Sequence, residues 1–251
     1  MIAAIIQARM GSTRLPGKVL KEVDGTPLLK YQIDRVKRSG LLDKIIVATT
    51  DRTEDDPIVR FCTDNDIDCF RGPLDDVLGR YYECAKRFKV DTIVRLTGDC
   101  PLSDPEIIDE VIELYRSSGG DYVANTVPPD TRKYPSGLDV EVFSFAALKR
   151  AQEEAVDTHD REHVTFYFWK YNNGFRTVQL KGSKDRSGYR LSVDYPEDLE
   201  VVRFVFSALK SRNVFGHAEE IFEILDKNPD IKKMNSQYYF GIGWNKKPLN
   251  K

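Results

Sequence analysis

The feature that most restricts this chain's fold is an alternation in its first 125 or so residues. Short apolar runs trade places with segments of helical periodicity. "IAAIIQA" (2–8), "KIIVAT" (44–49), "TIVRLT" (92–97) and "DYVAN" (121–125) are strand-like. Between them, "PLLKYQIDRVKRSG" (27–40) carries Leu28, Leu29, Ile33 and Val36 on one helical stripe. "DPIVRFCTDN" (56–65) has Pro57 in its first turn, and "DDVLGRYYECAKRF" (75–88) has Asp75 or Asp76 as cap. "DPEIIDEVIELYRSSGG" (104–120) closes on glycines. Strand, helix, strand, helix predicts an α/β protein, with a Rossmann-like, mainly parallel sheet covered by helices on both faces.

The rhythm then changes. "TVPPDTRKYPSG" (126–137) is rich in Pro, Gly and charge and predicts a loop. "LDVEVFS" (138–144) alternates like a strand with one exposed face. Helices are predicted over 145–155 and around "REHVTFYFWKYN" (161–172), and a strand over 175–180. "YRLSVDYPEDLEVVRFVFSAL" (189–209) predicts a strand, a turn and a helix, and 218–231 a last helix, with the tail from Met234 loosely held. The chain is thus expected to be a single domain, 1–251, with 125–180 as a small inserted β/α region that builds one wall of a site or a subunit contact.

Composition narrows the function classes. A formal net charge of −2 over 251 residues argues against a general nucleic-acid binder or a membrane-surface protein, so any anion site must come from local clustering. The four cysteines, Cys62, Cys69, Cys84 and Cys100, include no C-x-x-C pair. No targeting segment and no run of about 18 apolar residues is present, so a cytoplasmic protein with reduced thiols is expected.

One local cluster follows the first strand. "IIQARMGSTRLPGKVL" (5–20) leaves an apolar run and at once presents Arg9, Arg14 and Lys18 among Gly11, Ser12 and Gly17. In open parallel sheets ligands bind beyond the carboxyl ends of the strands. Glycine lets backbone N–H groups approach an anion, hydroxyls add donors, and arginine grips two oxygens at once. The loop is not a Walker A motif, because five residues separate Gly11 from Gly17 and Val19 follows Lys18; G-x-G-x-x-G is also absent. Beside anion binding stands the plainer reading of a solvated basic turn.

Two aspartates are the second cluster. Asp99, in "RLTGDCPL", follows Gly98 just past a strand, and Asp194, in "SVDYPEDLE", precedes Pro196. Carboxylates from two strand ends of one sheet suit Mg²⁺, which takes few protein oxygens together with substrate phosphates. Asp194 could instead cap the helix that begins near Pro196. His159 and His163 stand four apart, but no third ligand makes them a zinc site. No Ser-His-Asp or Cys-His set argues for a covalent step.

These segments resemble the cytidylyltransferases that make CMP-activated acidic sugars, and most of all the spore-coat-polysaccharide SpsF-like group. "IIQARMGSTRLPGKVL" is similar to their N-terminal signature, and "DDVLGRYY", "RLTGDCPL", "GLDVEVF", "REHVT" and "SVDYPEDLE" extend the likeness from Ile2 to about Val205. The resemblance implies the nucleotide-diphospho-sugar transferase fold, CTP and an acidic sugar as substrates, Mg²⁺ on Asp99 and Asp194, and a homodimer formed through the aromatic run Phe166–Tyr171. It implies that Ala8, Arg9, Gly11, Ser12, Arg14, Lys18, Arg80 and Thr97 bind the nucleotide, with Arg14, Lys18 and Asp99 catalytic. Thr97 stands where better-known synthetases have glutamine before Gly-Asp. Tyr134, Asp139, Glu141 and His163 are the candidate acceptor contacts, although Asp139 and Glu141 could equally lie on a solvent-facing strand, and Arg80 on a helix surface. A glycosyltransferase would need a D-x-D motif at a strand end; Asp64, Asp66 and Asp68 form such motifs, but at a helix exit. A non-catalytic nucleotide sensor is the third reading.

Overall fold

The structure, a computed structural model, describes residues 1–241. Its elements run β1 (Ile2–Gln7), β2 (Glu22–Val23), β3 (Thr26–Pro27), α1 (Leu28–Val36), β4 (Lys44–Thr50), α2 (Asp56–Asp64), β5 (Asp68–Gly72), α3 (Val77–Phe88), β6 (Thr92–Thr97), α4 (Pro105–Ser118) and β7 (Tyr122–Ala124). Then come β8 (Glu141–Ser144), α5 (Phe145–Glu154), α6 (Thr158–His163), α7 (Phe166–Trp169), β9 (Thr177–Gln179), α8 (Pro196–Arg212), α9 (Ala218–Asp226) and α10 (Pro229–Lys233).

The main sheet has seven strands in the order β5-β4-β1-β6-β8-β7-β9. The pairs β1–β4, β1–β6, β4–β5 and β7–β9 are parallel, and β8 is antiparallel to both its neighbours. The strands are apolar at successive positions because both faces are covered. Ala4, Ile6, Val47, Val94 and Leu96 join one core under α1, α4, α8 and α9. Ala3, Ile5, Ile46, Ala48 and Ile93 join the other, under α3 and α5. The expected caps are present: Asp76 accepts from Gly79 N at the start of α3, Asp104 from Glu106 N at the start of α4, and Gly119 closes α4 at φ 67°.

Several predicted elements differ. The segment "YRLSV" forms no regular strand; it makes a single bridge, Ser136 with Arg190. Its amides are spent elsewhere, Leu191 N on Ser136 O at 2.7 Å and Val193 N on Asp99 O at 2.8 Å. Gly137, at φ 101°, makes this approach possible, since a Cβ there would fall 2.3 Å from the carbonyl carbon of Leu191. The predicted helix 161–172 breaks at Val164 (φ 60°, ψ −61°), where Thr165 N donates to His163 O at 2.6 Å in a strained three-residue turn. β8 begins only at Glu141 and lies inside the sheet, so Glu141 is 6% exposed and not solvent-facing. The β2–β3 hairpin and the edge strand β5 were not predicted. The tail is docked, not loose, as far as Gly241: Asn235 is buried and Tyr238 stacks on Tyr195. No helix among the described residues is long and apolar enough to cross a membrane.

Candidate active site

The carboxyl ends of β1 and β6 lie side by side, with Gln7 in register with Thr97. Gly98 N donates to Gln7 O at 2.8 Å, and a Cβ on Gly98 would sit 2.9 Å from that same oxygen. Only glycine lets the two strand ends come this close, and so Asp99 is brought against the basic loop. The loop is fixed from beneath. Leu15 and Val19 are buried pegs, and Met10 N donates at 2.6 Å to Asp55, which is itself buried and also accepts from the Thr50 hydroxyl. Gly17 N closes the loop on Met10 O at 3.0 Å.

The polar side of the loop faces a cleft of about 350 Å³. Ala8, Arg9, Gly11, Ser12, Arg14 and Lys18 form one side, and Arg80, Thr97 and Asp99 continue it along α3 and β6. Asp139, Glu141 and His163 come from the 125–180 segment, and Asp194 closes the ring. Arg80 is no surface residue of its helix: it is 2% exposed and donates to Pro73 O at 2.8 Å. Tyr134 is the one candidate outside the cleft. The backbone at Ser136–Gly137 is held against Leu191–Ser192, which leaves Tyr134 on the α4 side, its hydroxyl 3.4 Å from Glu110 and its ring packed on the core.

The two aspartates converge. Lys18 Nζ lies 2.8 Å from Asp99 Oδ2 and 2.8 Å from Asp194 Oδ1. Arg14 Nη2 reaches Asp194 Oδ1 at 2.5 Å, and Arg190 Nη2 reaches Asp194 Oδ2 at 2.8 Å. Burial opposes the charge of Lys18, but Asp99 and Asp194 outweigh it and raise its pKa. Burial likewise opposes the charge of Asp194, yet Lys18 and Arg14 hold its carboxyl well below the usual range. Asp194 does not cap α8; Asp198 does that work, accepting from Asp194 N at 2.9 Å and Tyr195 N at 3.0 Å. Two carboxylates that share one ammonium are within reach of a single cation. Among the described residues, the other group spaced for a metal, Asp104, Glu106 and His217, is explained by capping, since Asp104 also accepts from Ala218 N at 2.6 Å. The D-x-D aspartates lie away from the cleft, and Asp68 pairs with Lys44 at 2.6 Å.

Against known proteins, the family model described as cytidylyltransferase matches residues 3–235. The chain belongs to the cytidylyltransferase family. Over 239 residues it is 34% identical to the spore coat polysaccharide biosynthesis protein SpsF of Bacillus subtilis, covering 91% of this chain and 95% of that one. A solved cytidylyltransferase of Leptospira borgpetersenii superposes with a TM-score of 0.85 at 33% identity, covering 92% of this chain and 96% of its own. A CMP:2-keto-3-deoxy-manno-octonic acid synthetase solved with CTP superposes at 0.60 and 19% identity over 85% of this chain and 99% of its own, a likeness of fold. The protein is therefore a nucleotidyltransferase with the nucleotide-diphospho-sugar transferase fold, as the opening motifs imply.

This cytidylyltransferase also carries cleft residues that the sequence did not single out. Arg190 stands four before Asp194 and is buried against Asp198, and in a segment read as a strand no sequence signal pairs the two. Glu162 and Thr165 line the cleft through the break at Val164, for which the sequence carries no signal, and Phe166 and Trp169, from the aromatic run expected at a subunit contact, line it as well. Phe240 and Gly241 line it from beyond the matched family region. Cys100 also lines the cleft, but burial pushes its thiol well up, so it supplies no thiolate.

Asp139 has a measurable signature. Burial raises its pKa to about 6, against the hydrogen bonds from Gly137 N and the Thr126 hydroxyl. A group with a raised folded pKa binds its proton more tightly in the folded state. Its contribution to stability is full below about pH 4, the unfolded value, and is lost as pH rises through 6. Asp139→Asn is therefore expected to stabilise the fold by about 2 kcal/mol at pH 7.5 and by almost nothing at pH 4, read by urea unfolding at both. Equal effects at the two pH values would show that Asp139 is not buried as a charge.

Proposed function

We propose that the protein transfers CMP from CTP to an acidic or phosphorylated sugar, in a Mg²⁺-dependent reaction that releases pyrophosphate. The reading serves cell-surface or spore coat polysaccharide synthesis and has the enzyme acting in the cytoplasm as a homodimer. The observation that carries it is the Lys18 ammonium held between Asp99 and Asp194 at the mouth of a basic loop. The cation position and the anion cradle share one cleft, which is what a triphosphate bound with a divalent ion needs. The names and ligands of the relatives agree with CTP as donor and a sugar acid as acceptor.

In this proposal the sugar hydroxyl oxygen bonds to the α-phosphorus, the bond from that phosphorus to the β-phosphate oxygen breaks, and the hydroxyl proton leaves to solvent. Ser12 and the Gly11 backbone donate to the β- and γ-phosphates, and Arg14 and Lys18 turn from the carboxylates to phosphate oxygens. Arg9 serves the α-phosphate or ribose. Arg80 and the backbone at residues 95–97 read the nucleoside. Asp139, Glu141 and His163, which line the cleft, face the acceptor. Asp99 and Asp194 would hold Mg²⁺, whose chemistry when bound is to neutralise phosphate charge and acidify the attacking hydroxyl. No protein nucleophile is required.

Two measurements test the reading. A thermal-shift series with CTP, UTP, GTP and ATP, each with Mg²⁺, is expected to favour CTP, because a ligand bound only by the folded state raises Tm. Incubation with CTP, Mg²⁺ and a panel of sugar acids and sugar phosphates is expected to release pyrophosphate with at least one acceptor. Silence with every acceptor, together with hydrolysis of a sugar nucleotide, would move the assignment to a glycosyltransferase.

A further inference from the structure

The chain beyond α10 returns to the cleft. Asn235 is 2% exposed and donates to Asp198 Oδ1 at 2.9 Å and to Arg190 O at 3.1 Å. Asp198 is the carboxylate that accepts the amides of Asp194 and Tyr195. Three residues on, the ring of Tyr238 lies flat on that of Tyr195, with centroids 3.7 Å apart and planes 1° apart. The pair is flanked by two guanidinium groups: Arg14 Cζ is 5.0 Å from the Tyr195 centroid, and Arg190 Cζ is 5.9 Å from Tyr195 and 5.8 Å from Tyr238. These are the two arginines bonded to Asp194. Tyr238 OH donates to Glu197 at 3.2 Å, and the segment then places Phe240 and Gly241 in the cleft wall, with the Arg132 guanidinium 4.3 Å from the Phe240 ring.

From this arrangement we infer that Tyr238 is a positioning residue of the active site. Stacked on Tyr195, it holds the Asp194 carboxylate and the Arg14 guanidinium in the orientation that receives a nucleoside triphosphate. Aromatic stacking limits the rotation of Tyr195, and the cation–π contacts of Arg14 and Arg190 tie their planes to the same pair. Asp194 has three cations around it and follows a segment tied down by a single bridge, Ser136 with Arg190, and by Val193 N on Asp99 O, so what is packed over Tyr195 bears on its direction. The functional half of this inference rests on the reading of the cleft as a triphosphate site.

The test uses the full chain and two variants, Tyr238→Ala and Tyr238→Phe. In ligand-free protein, the amides of Asp194 and Tyr195 are expected to exchange at least 10-fold faster in Y238A and within about two-fold of wild type in Y238F, since the ring and not the hydroxyl makes the stack. Titration with CTP and Mg²⁺ is expected to give a Kd about 10-fold weaker in Y238A and little changed in Y238F. A fall confined to Tm, with exchange at the two amides and the CTP Kd both unchanged, would overturn the inference, as would equal behaviour of the two variants. If wild type binds no triphosphate while Y238A still frees the two amides, the proposed function fails and the hold of Tyr238 on the Asp194 arm stands.

Discussion

Asp99→Asn is expected to lower CTP-dependent pyrophosphate release by about 10³-fold or more while leaving the fold intact. The substitution keeps the shape of the side chain and removes one negative charge from the pair that shares Lys18 Nζ. Asp99 is 24% exposed and lies just past the end of β6, its backbone oxygen stays bonded to Val193 N, and Lys18 keeps Asp194, so the substitution leaves no buried charge without a partner. The loss therefore appears in turnover and not in Tm, because groups placed where charge develops each contribute several kcal/mol to transition-state stabilisation. Asp194→Asn gives the contrast. It also removes a partner of Arg14 and of the buried Arg190, so it is expected to lower turnover and Tm together. Pyrophosphate release and thermal melting of the two variants, side by side, check both. An Asp99→Asn protein as active as wild type would place the chemistry elsewhere or favour a nucleotide sensor.

Much of the fold was legible because its signals are local. Ile2–Gln7, Lys44–Thr50 and Thr92–Thr97 are apolar on both faces, and this alone requires helices on both sides of a parallel sheet. The basic loop and Asp99 were legible for the same reason: each comes just after such a strand, at the carboxyl ends of the strands where ligands bind. What stayed hidden depends on distant partners. Edge strand β5, "DCFRG", is too polar and too short to stand out until β4 pairs with it. β8 reads as a strand, but nothing in its four residues says that it enters antiparallel between β6 and β7. Val164 adopts a positive φ that a β-branched residue rarely takes, so the break between α6 and α7, and with it Thr165 in the cleft, cannot be read from propensity. Tyr134 is a candidate in the sequence because its loop offers donors to an acidic acceptor, whereas the structure holds its hydroxyl beside Glu110 on the α4 side.

Breaking the Arg95–Glu141 pair is expected to give a large loss of stability. The two residues stand directly opposite in the β6–β8 register, their side chains 12% and 8% exposed, and they form a hydrogen-bonded ion pair. Glu141 also accepts from Tyr122 OH at 2.5 Å and Thr165 Oγ1 at 2.7 Å, and Arg95 donates to Gln7 Oε1 at 3.1 Å. Burial opposes the charge of Arg95, but Glu141 outweighs it and raises the pKa further, so the guanidinium stays charged at any pH the fold survives. Glu141→Gln thus leaves a buried cation with only neutral acceptors, and removal of one partner from such a pair costs about 3–5 kcal/mol. For a chain of this length that is a fall of roughly 10 °C in Tm. Arg95→Met alone strands the carboxylate, though Tyr122 and Thr165 still donate to it, so its cost is expected to be smaller. The double variant, Arg95→Met with Glu141→Gln, removes both charges and is expected to recover most of the loss, because a buried pair is roughly balanced against its own desolvation. Urea unfolding of the four proteins closes the cycle. A coupling energy below about 0.5 kcal/mol would mean that β8 is held between β6 and β7 by its apolar residues, Val142 and Phe143, and not by the charge at its first position.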